Sequence, residues 1–192
     1  MKKILISIRP KWVEKIASGE KTIVVHKSAP QEAPFKAYIY ETKESKMRYL
    51  NDRFNSFFSG KSCYTDMGKV IGEFVCNKTE RFSVGSLRSD DIEKLACLSY
   101  NEMISYFYKT EELDGKTVKQ GFAWHISDLK IYDKPKELSE FSKPCPIDTR
   151  NCENCITYGK PYTWDFDEKT EKIFCTRRLT HPPQSWQYVE EL

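Results

Sequence analysis

The first 27 residues change their hydrophobic period twice. The run Ile4-Leu-Ile-Ser-Ile8 is almost continuously apolar, which predicts a buried strand. From Pro10 onwards apolar residues recur at helical spacing, and proline suits a first helical position because no N–H is needed there. Gly19 suits the left-handed residue that ends a helix, and residues 22–26 predict a second strand. The unit is therefore strand, helix, glycine turn and strand, with Lys21 at the mouth of the turn.

The rest of the chain carries weaker versions of both periods. Stretches rich in β-formers predict strands at 35–40, 68–76, 121–126 and 129–132. Apolar spacing behind capping residues predicts a helix over 89–98 and another after the capping box Ser99-Tyr-Asn-Glu102. Residues 43–61 have apolar side chains at roughly helical intervals, which predicts an inserted helix. A turn and a short helical piece are expected around 135–141.

These elements favour an α+β fold in which the strands form a small mixed barrel with flanking helices. Closing the sheet removes exposed strand edges, and helices can fill the two ends. Four residues of the predicted strands are expected to pack inside the barrel: Phe74, Phe122, Trp124 and Ile126.

The N-terminal unit resembles the ASCH domains, a branch of the PUA-like superfamily. Gly19-Glu-Lys21 matches the Gly-x-Lys turn of that family, residues 68–76 look like its later core strand, and residues 122–130 look like the strand that closes its barrel. Val24 and His26 depart from the pattern, since the family usually has an acid and an arginine there. The resemblance therefore implies the fold more directly than an activity.

The resemblance covers most of residues 1–141, with an insertion at about 43–67. Residues 142–192 are richer in cysteine, proline and asparagine, and we expect them to form a Cys-rich extension packed on the same domain. Within it, His181-Pro-Pro-Gln-Ser-Trp186 looks like members from Gram-positive bacteria and their phages.

Composition places the chain among globular proteins rather than disordered or membrane-spanning ones. Of its 192 residues, 39% are hydrophobic and 31% are charged. The longest apolar runs are far too short to cross a bilayer. The basic, apolar start faintly imitates a signal peptide, but Arg9-Pro10 interrupts it too early. We expect a cytoplasmic protein with no membrane partner.

Charge is distributed unevenly along the chain. Residues 1–61 hold 13 Lys/Arg and 6 Asp/Glu, a balance of +7, whereas residues 62–192 hold 18 and 22, a balance of −4. A basic first third can bind phosphate groups, and a solvated lysine surface is the alternative interpretation. The predicted partner is RNA or a nucleotide-like small molecule, bound in a cleft beside the Gly19–Lys21 turn.

The candidate binding residues divide into two groups. Lys11, Lys21 and Lys27 are expected to contact phosphate. Residues expected to line the pocket are Ser7, Arg9, Trp12 and His26. Two alternatives stay open, because Lys21 can be an exposed cation at a helix end and Trp12 can be a core anchor.

Four of the seven cysteines lie close together near the C-terminus: Cys145, Cys152, Cys155 and Cys175. A Cys-x2-Cys pair places two thiolates on one turn, and two further cysteines can complete a tetrahedral site. We predict a structural zinc ion that stabilises a segment poor in aliphatic residues. Unliganded thiols, a disulfide and an iron–sulfur cluster are the alternatives. Four cysteine ligands leave no open position for a substrate.

A hydrolase is the first rival function. One ASCH group is similar to a bacterial amidohydrolase that removes the acetyl group of N4-acetylcytidine with a threonine, a lysine and a glutamate. Lys21 matches the lysine, but Val24 occupies the threonine position and the glutamate position falls near Ala96. Thr22 lies on the same predicted strand. We therefore assign no catalytic residue, and we expect His26 to make binding sensitive to pH near neutrality.

A protein-interaction module is the second rival. It would use the insertion at 43–67 and the cysteine knuckle as contact surfaces.

Overall fold

The computed structural model describes residues 1–43, 68–84, 89–108, 119–144, 164–167, 172–175 and 177–191. Its helices are α1 (Pro10–Ala17), α2 (Ser89–Ala96) and α3 (Tyr100–Phe107), with a 3-10 turn at Leu138–Glu140. Its strands are β1 (Lys2–Ile8), β2 (Ile23–His26), β3 (Phe35–Glu41), β4 (Val70–Cys76), β5 (Thr79–Ser83), β6 (Gln120–His125), β7 (Ser127–Lys136), β8 (Phe141–Ser142), β9 (Trp164–Asp167), β10 (Lys172–Cys175), β11 (Trp186–Tyr188) and β12 (Glu190–Glu191).

The larger sheet has five strands in the order β11-β1-β3-β4-β7. Strands β1 and β3 run parallel, and their other neighbours are antiparallel. Strands β1 and β3 are buried on both faces of this sheet. Ile4 and Ile6 of β1 pack on one face, while Leu5 of β1 and Tyr38 of β3 pack on the other. This explains why the sequence of β1 is continuously apolar rather than alternating.

A second sheet has three strands in the order β2-β6-β5. The chain passes from it into the larger sheet at Ile126, between β6 and β7, and Asp128 just beyond has a φ of +48°. Because β6 pairs with β2 and β5 while β7 pairs with β4, the two sheets stay separate. The predicted closed barrel is therefore wrong for the part of the chain that the structure describes.

Trp124 joins the two sheets. Its side chain, on β6, is fully buried, and its ring lies 5.2 Å from that of Phe35 on β3 and 5.8 Å from that of Trp186 on β11. The prediction that Trp124 is a core residue is confirmed, as it is for Phe74. A second cluster fills the space between the three-stranded sheet and the helices α2 and α3.

Local sequence explains where the helices begin and end. Pro10 is the first residue of α1, and Gly19 follows its C-terminus with a φ of +77°. Ser99 and Glu102 form the predicted capping box of α3, through reciprocal hydrogen bonds. None of the helices in the described ranges is long and apolar enough to span a membrane.

Some predictions differ from the structure or cannot be compared with it. Strand β5 was not predicted, because Thr79–Ser83 is mostly polar and only Phe82 is buried. Strand β7 continues through Pro135 to Lys136, beyond its expected end at 132. The inserted helix at 43–61 lies almost entirely outside the described residues, as do three of the four clustered cysteines.

Candidate ligand-binding cleft

A cleft of about 690 Å3 opens beside the glycine turn. Its walls come from the end of β1, the start of α1, strand β2, helix α3 and the loop before β11. Its volume lies within the range of about 300–1,000 Å3 that is usual for small-molecule sites. Six of the seven candidate binding residues line it: Ser7, Arg9, Trp12, Lys21, His26 and Lys27.

Lys21 is the most unusual cation of the cleft. It is only 4% exposed, its ammonium group donates to the backbone carbonyl of Ala96, and it lies 5.2 Å from the ring centroid of Trp12. Loss of solvent lowers the pKa of Lys21 to about 8. Cys97 and Glu102 oppose this shift, while Lys15 adds to it. The exposed-cation alternative for Lys21 is therefore wrong.

Two aromatic rings lie next to cations in the cleft wall. Lys27 is exposed, and its ammonium lies 5.3 Å from the ring centroid of Tyr106 on α3. Trp12 is only partly buried, and the ammonium groups of Lys11 and Lys21 lie 4.4 Å and 5.2 Å from its ring centroid. An aromatic ring with a neighbouring ammonium group can hold a flat ligand and its negative charge together.

Lys11 is placed differently from the other candidates. It does not line the cleft; its ammonium lies 2.9 Å from Glu102 Oε1 and 4.4 Å from the ring centroid of Trp12. The Glu102 carboxylate also accepts from the backbone and hydroxyl of Ser99. These hydrogen bonds, with the charge of Lys11, hold the pKa of Glu102 well below its usual range. Glu102 therefore stays negatively charged.

His26 is buried at the end of β2. It is 5% exposed, its ring centroid lies 4.3 Å from that of Trp124, and its Nδ1 lies 3.1 Å from Ser185 Oγ. Desolvation, with a smaller contribution from Lys21, lowers the pKa of His26 to about 3. The imidazole is therefore neutral across the physiological range, and the expected pH sensitivity from His26 near neutrality is wrong.

The segment before β11 closes one side of the cleft. Ser7 Oγ donates to the carbonyl of Pro183 at 2.6 Å, and the Ser7 backbone N–H donates to the carbonyl of Ser185 at 2.9 Å. The Trp186 indole N–H donates to Ser28 Oγ at 3.1 Å. Ser7 thus positions this segment, and Ser185 reaches His26 as a result.

Several cleft residues were not identified from the sequence. On α3 they are Glu102, Ser105 and Tyr106, and in the closing segment they are Gln184 and Ser185. The three α3 residues are spaced i, i+3 and i+4, which places them on one helix face. This spacing could have identified the three residues as one helix face, but it does not indicate which strand that face packs against.

The residues considered for hydrolysis are divided between the cleft and the surface. Val24 lines the cleft, as its position on the same strand face as His26 requires. Thr22 is exposed and does not contribute to the cleft wall. The geometry therefore does not support Thr22 as an alternative nucleophile.

The predicted zinc site stays a prediction. Cys145, Cys152 and Cys155 lie outside the described residues, and Cys175 is described only as the end of β10. Within the described ranges no group of three or more metal-ligating side chains comes together.

The described residues define an α+β fold with a ligand-sized cleft that is lined by cations and aromatic rings. A scan of family models and a search of curated proteins find no match for the chain. Among solved structures, the chain is similar to an ASCH protein from Zymomonas mobilis, with a TM-score of 0.57 and 18% identity over 98% of this chain and 88% of that one.

Two mutants of the Zymomonas mobilis protein show the same likeness. One has a serine replaced by alanine, with a TM-score of 0.56 and 16% identity over 98% of this chain and 89% of that one. The other has a tyrosine replaced by phenylalanine, with a TM-score of 0.50 and 20% identity over 72% and 77%. The chain therefore has the ASCH fold, as its N-terminal unit predicted.

Proposed function

We propose that this protein binds RNA or a nucleotide-like ligand in the cleft beside the Gly19–Lys21 turn. The observation that carries the proposal is the presence of Arg9, Lys21 and Lys27 in one cleft that also contains the rings of Trp12 and Tyr106. The cations suit phosphate groups, and the rings suit the face of a base. The fold of the Zymomonas mobilis ASCH protein is consistent with this proposal but does not by itself assign a function.

The two kinds of contact have different consequences for affinity. Phosphate contacts release counterions from a nucleic acid, so they make binding weaker as salt increases. Contacts with the base depend on shape and hydrogen bonding, so they set which nucleotide is preferred. Glu102 adds a negative charge to the cleft wall, and its ion pair with Lys11 offsets part of that charge.

The proposal is tested by measuring how the affinity for a short single-stranded RNA changes with salt. Lys27→Ala is expected to weaken binding and to reduce the magnitude of the logarithmic salt slope by about 0.7, the value for one phosphate contact on a single strand. Lys130→Ala removes the same charge from the exposed surface of β7, outside the cleft, and serves as the matched control.

Two results would contradict the proposal. One is the absence of measurable binding at low salt. The other is an equal effect of Lys27→Ala and Lys130→Ala, which would indicate a general attraction between charges rather than a bound phosphate at the cleft.

An amidohydrolase acting on a modified nucleoside is the second candidate. It is favoured by the acid and the hydroxyl that the cleft places on α3, Glu102 and Ser105, together with Lys21. With a pKa of about 8, Lys21 can exchange a proton near neutral pH, whereas the lowered pKa of Glu102 makes this carboxylate a poor proton acceptor there.

The binding proposal predicts no turnover of N4-acetylcytidine by the wild type, because Val24 supplies no nucleophile where a hydroxyl would be needed. Val24→Thr restores a hydroxyl at that wall and is the variant in which activity could appear. Release of acetate is the measurement. Wild-type turnover that Lys21→Met abolishes would favour the hydrolase and would mean that a group other than residue 24 supplies the nucleophile.

A further inference from the structure

One residue that lines the cleft carries a buried polar atom without a partner. His26 lines the cleft and is 5% exposed, and its Nε2 makes no hydrogen bond with any described residue. Trp124 does not satisfy this nitrogen, because its ring lies 4.3 Å away at a tilt of 33° and its own Nε1 is also buried without a hydrogen-bond partner. A buried polar group without a partner is costly, so its presence in a cleft points to a ligand group or a water that completes it.

The other ring nitrogen is already engaged. Nδ1 of His26 lies 3.1 Å from Ser185 Oγ, and the Ser185 backbone is in turn held by the N–H of Ser7. A neutral imidazole has one N–H and one lone pair, and the Ser185 hydroxyl can pair with either of them at Nδ1. Ser185 therefore orients the ring, while Nε2 carries the complementary role, donor or acceptor, for a ligand.

We propose that His26, oriented by Ser185, determines which nucleobase the cleft prefers by forming a hydrogen bond between Nε2 and an uncharged polar atom on the base edge. The inference rests on the proposed function and adds to it, because it separates recognition of the base from recognition of phosphate. Phosphate contacts belong to the cations Arg9, Lys21 and Lys27. A neutral ring packed against Trp124 suits a neutral partner, since an anion would require an imidazolium that burial disfavours.

The experiment compares ligands that share a phosphate and differ in the base. The probes are ribose 5-phosphate and the four common ribonucleoside 5′-monophosphates. The ratio of the dissociation constant of ribose 5-phosphate to that of the tightest monophosphate measures what the base contributes. His26→Phe, which keeps a flat ring without nitrogen, is expected to lower this ratio about three- to tenfold, the range for one hydrogen bond.

A matched pair of variants separates the two ring nitrogens. His26→Gln places an amide group near the position of Nε2 and is expected to keep part of the ratio. His26→Asn places an amide near the position of Nδ1, so the side chain can still reach Ser185. This variant is expected to lower the ratio as much as His26→Phe does. Ser185→Ala is expected to lower the ratio by less than His26→Phe, because it releases the ring without removing Nε2.

Controls distinguish this role from a structural one. Lys27→Ala is expected to weaken ribose 5-phosphate and the monophosphates equally, so the ratio stays unchanged. A structural effect of the His26 variants would also weaken all probes alike. The role of His26 is overturned if His26→Phe leaves the ratio unchanged, or if His26→Gln and His26→Asn lower it equally. In either case the proposed function stands. If no probe binds to the wild type, the nucleotide-binding function fails and the role of His26 fails with it.

Discussion

Replacing Lys21 with methionine is expected to weaken RNA binding by roughly 10- to 150-fold, the range for one charge-assisted hydrogen bond. Methionine keeps much of the volume of the lysine side chain, which matters because Lys21 is 4% exposed and packs beside Trp12. The loss would therefore report the charge rather than a cavity.

Lys21 also predicts how binding changes with pH. Burial lowers its pKa to about 8, so the side chain is largely protonated below that pH and largely neutral above it. Because only the protonated form attracts phosphate, affinity is expected to fall as pH rises, by about tenfold between roughly pH 7 and pH 9. A bound phosphate would raise this pKa and move the fall to higher pH.

The pH profile has a clear control. Lys21→Met is expected to show a flat profile over the same interval. Cys97→Ser changes the neighbour that most opposes the lowering of the Lys21 pKa, and this variant should keep the fall in affinity. A profile that stays flat in the wild type, or that remains sloped in Lys21→Met, would show that Lys21 does not carry the bound charge.

The second large effect is expected on stability. Trp124→Ala should lower the free energy of unfolding by about 3–5 kcal/mol, the usual cost of truncating a large buried aromatic side chain. The ring is fully buried and packs against Phe35 of the larger sheet and His26 of the smaller one. Its removal would leave a cavity at the junction of the two sheets.

Chemical denaturation followed by circular dichroism measures this change. The matched control is Tyr100→Ala, because Tyr100 is an aromatic residue that is 54% exposed and should change stability by no more than about 0.5 kcal/mol. A loss below about 1 kcal/mol for Trp124→Ala would mean that the two sheets do not depend on this ring.

The N-terminal unit could be predicted because its determinants are local. Pro10, Gly19 and the apolar run of β1 act within a few residues of where they stand, and the structure follows them. The position of six candidate residues around one cleft follows from the same unit, since all of them lie within the first 27 residues.

The rest of the site depends on distant contacts. Glu102 was predicted as a capping residue, which it is, but its place in the cleft depends on how α3 packs beside α1. Among the described strands, the separation into two sheets has a similar origin, because β6 and β7 pair with different strands and periodicity does not indicate which strands pair.

His26 is the clearest example of a property that cannot be inferred from residue type. An exposed histidine at this position would titrate near neutrality, and the sequence allowed that expectation. Burial against Trp124 keeps the ring neutral instead. Burial of a polar residue at a strand end depends on what covers it, here a segment far along the chain.

The hydrogen bond between Ser7 and Pro183 joins residues that are 176 positions apart. During synthesis, β1 and α1 leave the ribosome before the closing segment does, and the wall that holds Ser185 against His26 can form only after residue 186 has emerged. Such long-range closure is slow compared with the folding of local elements. A nascent chain would therefore present the basic turn to its surroundings before the closing segment packs against His26.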